Sequence, residues 1–207
     1  MREAERRIAV IETNQALAAE LAGMGAVDQL VRNRWLELRK TADEPTRAAL
    51  QDVWDRRIRP IDEAHVARLR TLLAARETWF SLSEVGPQAA QAAFLIVQHS
   101  GDIGLQKQVL ASMAPLLAAD EVDKGDYALL WDRIAVTEGQ PQRYATQGTD
   151  CDGDRYVTPR DLEDPAGLDA RRAAMGLDPM SEYLAEQNRM YGRCEVPPVM
   201  RNRRKAG

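Results

Sequence analysis

Between Ser83 and Ser100 the chain carries Ala89, Ala90, Ala92, Ala93, Phe94, Leu95, Ile96 and Val97, apolar nearly all round at helical spacing. A helix without a polar face has nothing to offer water, so other elements must enclose it. That requirement predicts a central buried helix with amphipathic helices around it, and these are readable on both sides. Residues 3–22 place Ile8, Ile11, Ala18 and Leu21 on one stripe, and Gly23 and Gly25 predict its end. Residues 27–40 align Val27, Leu30, Val31, Trp35 and Leu38, bounded by Asp43-Glu44-Pro45; Pro45 suits a first helical turn. From 46 to 76 the spacing stays helical, but Pro60 lacks a donor and clashes with the preceding turn, which predicts a kink or break there. Asp62 is placed to cap the second piece. Further helices are expected over 102–119 and 123–137, the latter with Tyr127, Leu130, Trp131 and Ile134 on one face and Gly139 as its stop.

Beyond Gly139 the texture changes. Tyr144 to Thr149 and Arg155 to Thr158 flank Asp152-Gly153, a dipeptide that favours a tight hairpin turn, so a β-hairpin is expected over about 142–160. Short helices follow near 166–175 and 179–190, the second opened by Asp178-Pro179. The end carries Arg201, Arg203, Arg204 and Lys205 after Pro197-Pro198 and reads as a disordered basic tail. The expected fold is mainly α: a bundle-like single domain with a small β-hairpin insertion. It comprises an N-terminal amphipathic helix (1–22), a main helical domain (23–192) and a tail (193–207).

Composition narrows the function classes. A net charge of −4 argues against a general binder of the phosphate backbone, which needs a basic face, so no nucleic-acid partner is expected. No apolar run approaches the roughly 20 residues of a membrane span, and the charged start, Met1-Arg-Glu-Ala-Glu-Arg-Arg, leads into no signal-peptide core. A cytoplasmic protein without a membrane partner is the expectation. Cys151 and Cys194 lack the close spacing of a zinc or redox pair and are read as free thiols.

No phosphate-cradling glycine loop, His-Glu-x-x-His or Gly-x-Ser-x-Gly is present. What stands out is Phe94-Leu-Ile-Val-Gln98-His99-Ser-Gly-Asp102, with Gln106 beyond. If the helix continued, Leu95, Gln98, His99, Asp102 and Gln106 would share one stripe. Histidine exchanges protons near neutral pH, and a carboxylate three residues on could hold its ring. The plainer reading is that Gly101 ends the helix, Asp102 caps the next and His99 bonds a backbone carbonyl. His65 lies among solvated charges and is read as a surface or edge residue. Asp132-Arg133 follows Trp131 on an apolar helix, so one of the two faces inward and needs a partner. Arg133 offers a fork for a carboxylate or phosphate; its plainer role is an internal salt bridge or a place on a solvated face. Asp150-Cys-Asp-Gly-Asp154 has the carboxylate spacing of a calcium loop, but Arg155 stands where Gly is needed, so a hairpin turn is preferred and no metal or cofactor is expected.

These motifs, in order, resemble a bacterial domain family of unknown function. The resemblance rests on Leu21-Ala-Gly-Met24 with Asp28-Gln29 and Arg32, then Asp62, Ser83-Glu-Val-Gly86, Val97-Gln-His-Ser-Gly-Asp102 with Gln106, Leu130-Trp-Asp-Arg133 and Gly139-Gln-Pro-Gln142-Arg-Tyr-Ala-Thr-Gln147, and runs through Arg171-Arg172 to Glu182-Tyr-Leu184. Members pair a Gln-His-x-x-Asp element with a later Asp-Arg and a Gln-x-Tyr-Gly-Thr-Gln segment. This chain has Ala145 where Gly is usual, Thr78-Trp-Phe80 where Gly-Trp-Pro is common, and His65 where Asn is usual. The resemblance implies shared polar positions at Asp28, Gln29, Arg32, Asp62, Gln98, His99, Asp102, Gln106, Asp132, Arg133, Gln142, Tyr144, Thr146 and Gln147. So many amide, charged and hydroxyl groups suggest a converging pocket. The expected function is a module binding a small molecule or protein. The alternative is a hydrolase or transferase with His99 as acid or base, Asp102 or Asp132 orienting it, and Arg32 or Arg133 gripping an anionic substrate.

Overall fold

A single helix, α1 (Arg2–Thr41), runs unbroken through Gly23 and Gly25, where two helices are predicted. The reason is tertiary. A Cβ placed on Gly25 would overlap that of Ala92 and lie 2.8 Å from the Ala92 Cα, so Gly25 is where α1 meets the central helix α5 (Pro87–His99) backbone to backbone. Glycine weakens a helix interior by about 1 kcal/mol relative to Ala; the extensive α1–α5 contact offsets that. Gly25→Ala should therefore destabilise the protein by about 1–3 kcal/mol despite its better helix propensity, because the obstacle is backbone. A lower urea midpoint is the measurement that checks it.

In this computed structural model the described residues are 2–191 and 194, so the rest of the expected basic tail (193–207) lies outside them. The chain forms two compact units, one reaching Asp126 and one starting at Tyr127. The first is built mainly of helices, and the second joins helices with loops and a small hairpin. Among the described residues no helix is long and apolar enough to cross a membrane.

In the first unit α1 leads to α2 (Glu44–Val53), capped by Asp43, whose side chain accepts from Thr46 N at 3.0 Å, with Pro45 in the first turn. The break expected at Pro60 takes the form of a π-helical stretch, Trp54–Ile58, immediately before α3 (Arg59–Ala74). Proline supplies no N–H for the turn before it, and the widened turn absorbs the mismatch. Asp62 does not cap α3; it turns to Arg32. After α4 (Leu82–Val85), α5 buries Ala89, Ala90, Ala92, Ala93, Phe94, Ile96, Val97 and Gln98, the enclosed helix the apolar run predicts. Trp79 and Phe80 join Leu69, Leu73, Val109 and Met113 in the core. Gly101, at φ 64°, ends the helix, and Asp102 opens α6 (Ile103–Met113) by accepting from Leu105 N at 2.9 Å. The stripe from Leu95 to Gln106 is thus broken, as the capping reading has it. A 3₁₀ stretch, Ala114–Ala119, leads to α7 (Lys124–Thr137), within which the first unit ends.

In the second unit the hairpin is shorter than predicted: β1 (Asp150–Asp152) pairs antiparallel with β2 (Arg155–Val157) around Gly153 at φ 60°. Residues 142–149 form an irregular loop instead. Helices α8 (Leu168–Ala174) and α9 (Met180–Tyr191) follow, and Ala145, Leu168 and Met180 form a small core with Leu162, Tyr183 and Leu184 around it. The cysteines are not free. The hairpin brings Cys151 to Cys194 with Cα atoms 5.7 Å apart, and they form a disulfide. Their separation of 43 residues hides this in the sequence. Such a bond persists in oxidising surroundings and is rare in a reducing cytosol, in tension with the cytoplasmic expectation.

Candidate functional site

The polar cluster of the first unit is built on Asp28, one turn beyond the glycine contact that seats α1 on α5. The residue is 1% exposed, so its charge needs partners. Arg32 Nε, one helical turn on, donates to Oδ1 at 2.8 Å; Gln29 Nε2 donates to Oδ2 at 2.9 Å; and His99 Nδ1, at the end of α5, lies 2.9 Å from Oδ2. Arg32 divides its fork, giving Nη2 to Asp62 Oδ2 of α3 at 2.8 Å. Burial pushes the Asp28 carboxyl up, but hydrogen bonds from His99 and Arg32, with their charges, outweigh it and hold the group below the usual carboxylate range. Asp62 goes the other way. Burial raises it, and the repulsion of Asp28 adds to that, against the attraction of Arg32.

An ionised carboxylate only accepts, so its contact with Nδ1 places the hydrogen there and leaves Nε2 as the nitrogen that exchanges protons. His99 lines a cavity of about 520 Å³, together with Arg32, Trp54, Arg59, Asp62 and Arg70. Trp54 is fixed edge-on against Trp35, ring centroids 4.9 Å apart, with the Arg32 guanidinium 5.1 Å from its ring centre. Arg59 pairs with Asp55, and Arg70 with Asp102, both on exposed faces. Ser100, the hydroxyl nearest His99 in the chain, donates to Val97 O at 2.8 Å and accepts from Asp102 N at 3.1 Å, so its proton and one of its lone pairs are engaged.

The predicted polar positions fall into two groups, one in each unit. Asp28, Gln29, Arg32, Asp62 and His99 come together as described. Asp102 belongs to the α6 cap and to Arg70, so Asp28 rather than Asp102 orients His99. Gln98 and Gln106 are buried; Gln106 Nε2 donates to Val97 O at 3.3 Å, and Gln98 Oε1 has no partner. His65, read as a surface residue, is half-buried with Nδ1 enclosed and unpartnered.

In the second unit Asp132, fully buried, is the inward-facing member of its pair. It accepts from Arg143 N at 2.7 Å, Tyr144 N at 3.1 Å, Thr146 N at 2.8 Å and Thr146 Oγ1 at 2.9 Å. Gln142 closes the same loop: its Nε2 donates to Gln147 O at 3.2 Å and its Oε1 accepts from Gln147 N at 2.9 Å. Gln147 reaches Leu129 O at 3.2 Å, and Tyr144 stands edge-on to Trp131, centroids 6.2 Å apart. These groups satisfy one another and hold the loop. Arg133 is half-buried with Nε unpartnered, and burial pulls its guanidinium down from the usual arginine value. No salt bridge to it is formed among the described residues, so of the two plainer readings the internal ion pair fails, and its half-burial does not fit a solvated face either.

Two residues escape the sequence reading. Arg172 is 3% exposed, with its guanidinium donating to Tyr144 O and Asp178 O, each at 2.7 Å; the Arg171-Arg172 pair gives no hint which one faces in. Asp126 is buried in a cavity of about 120 Å³ walled by Trp79, Phe80 and Met113. Burial, and then the charge of Asp123, push its carboxyl up to about 7, against a hydrogen bond from Gln91.

Among the described residues no group of His, Cys, Asp and Glu is placed to hold a metal ion. No curated protein and no solved structure matches the chain. One family model does match, over residues 15–195, which takes in the Asp28–His99 cluster and the Asp132 loop alike, and the chain accordingly belongs to the family of unknown function DUF6624.

Proposed function

We propose that the first unit binds a small polar molecule bearing an anionic group, in the cavity of about 520 Å³ where His99 is held by Asp28. The carrying observation is that contact: a buried carboxylate fixes one imidazole nitrogen at 2.9 Å while the ring lines a cavity that also presents three arginines. The arginines differ in what they can release. Arg59 and Arg70 are tied by exposed ion pairs, which water screens and which hold their partners weakly, so an incoming carboxylate or phosphate replaces Asp55 or Asp102 at little cost. Arg32 is committed to one buried and one partly buried carboxylate and serves as scaffold.

A second reading is favoured by the same contact. With Nδ1 engaged, Nε2 has the arrangement of a general acid or base, so a hydrolase or transferase acting on that anion is the catalytic version of this site. The expected outcome of a thermal-shift series with phosphate, phosphomonoesters and short carboxylates is stabilisation of the wild type by one class. At 100 times its dissociation constant the effect is about 2.7 kcal/mol. His99→Ala and Arg70→Met should lose most of it while retaining their own cooperative melting. A ligand that stabilises both variants as well as the wild type binds elsewhere, and that result contradicts the proposal.

A further inference from the structure

Two of the buried polar atoms without partners in the first unit, Asp62 Oδ1 and His65 Nδ1, belong to one place. They lie three residues apart on α3, on the same helix face. Both side chains line a cavity of about 10 Å³, which Asp28, Arg32, His99 and Ser100 also border. Buried polar atoms are almost always paired, with protein or with ordered water. A polar cavity of roughly 10–15 Å³ is the smallest that holds one water. The space, an acceptor that cannot reach a protein donor and an imidazole nitrogen of either hydrogen-bonding sense together specify what fits.

We propose that a single water molecule occupies this cavity, donating to Asp62 Oδ1 and pairing with His65 Nδ1, and that Asp62 and His65 act through it as positioning residues for His99. Asp62 Oδ2 anchors Arg32, whose other arm holds Asp28, whose second oxygen holds His99. A water donating to Oδ1 favours the ionised form of a carboxyl that burial and the Asp28 charge push toward protonation. Without it Asp62 protonates more readily, Arg32 loses one counter-charge, and its full claim falls on Asp28 in competition with His99. The water site stands on its own geometry; its bearing on function rests on the reading of His99 given above.

The test uses the full chain as wild type, His65→Asn and His65→Leu. Asn carries a polar atom near the place of Nδ1, whereas Leu removes it. Crystal structures at a resolution that shows other buried waters should reveal a density peak within hydrogen-bond distance of both Asp62 Oδ1 and residue 65 in the wild type and in His65→Asn, and none in His65→Leu. Side-chain 15N spectra should give the same His99 tautomer in the first two and a mixture in the third. An empty cavity in the wild type overturns the water site. Density present but an unchanged His99 spectrum in His65→Leu overturns the positioning role. Should His65→Leu fail to fold, Asp62→Asn replaces it, with the same spectrum read. None of these readouts needs a bound anion, so a failure of the ligand proposal leaves them separately decidable.

Discussion

Asp132→Ala should cost about 4 kcal/mol or more and release the loop from Arg143 to Gln147. The carboxylate accepts from three backbone N–H groups and one hydroxyl, and it is fully buried. Each buried donor left without a partner costs roughly 1–3 kcal/mol, and relaxation of the loop recovers only part of that. Asp132→Asn keeps the shape but offers one acceptor oxygen, so about half the loss is expected. The cradle also holds Ala145 at φ 55°, a left-handed conformation that costs a non-glycine residue roughly 1–2 kcal/mol. Hydrogen exchange at the amides of Arg143, Tyr144 and Thr146 checks the assignment. These should be strongly protected in the wild type and exchange quickly in Asp132→Ala, whereas equal protection in both would contradict it.

Asp126→Asn should remove a pH dependence of stability amounting to several kcal/mol. The folded carboxyl sits at about 7 against an ordinary 3.8, so the folded state holds this proton more tightly than the unfolded chain. Stability from this group is therefore fully present below about pH 4, falls as pH rises toward 7, and levels off above. At about 1.4 kcal/mol per pKa unit the span is on the order of 4 kcal/mol. Asparagine stays neutral and retains a hydrogen-bonding group for Gln91. The difference between the two stability curves reads the contribution of Asp126, with its repulsion by Asp123 included. The variant should match the wild type near pH 4 and exceed it by a few kcal/mol at pH 8, measured by urea unfolding. Parallel curves would show that Asp126 is ionised without penalty.

How far the sequence could be read depended on whether the determining partner was near in the chain. The burial of α5 was legible because its apolar run leaves no face for water, and the Pro60 break because proline acts on its own turn. Gly23 and Gly25 misled as helix stops, since what governs Gly25 is Ala92, 67 residues on in the sequence (92 − 25), in the helix it touches. The disulfide escaped for the same reason. Within the site, the family resemblance pointed to Asp28, Arg32, Asp62 and His99, but spacing alone matched His99 with Asp102, three residues away, when its partner is 71 residues earlier. Asp102 answers to a local rule, the helix cap, and takes that role. His65 reads as solvated because its immediate neighbours are charged, and nothing near Asp126 in the chain singles it out. Only packing of α3 and of the start of α7 against the rest of the first unit encloses them.

The central claim is that Asp28 holds His99 by Nδ1 and leaves Nε2 to the cavity. Long-range 1H–15N correlation of the His99 imidazole in the full chain reads this directly. The account predicts a hydrogen on Nδ1, with that preference lost in Asp28→Ala and the Nε2 resonance moving when the stabilising anion is added. A wild-type spectrum with the hydrogen on Nε2 alone and Nδ1 bare would contradict it.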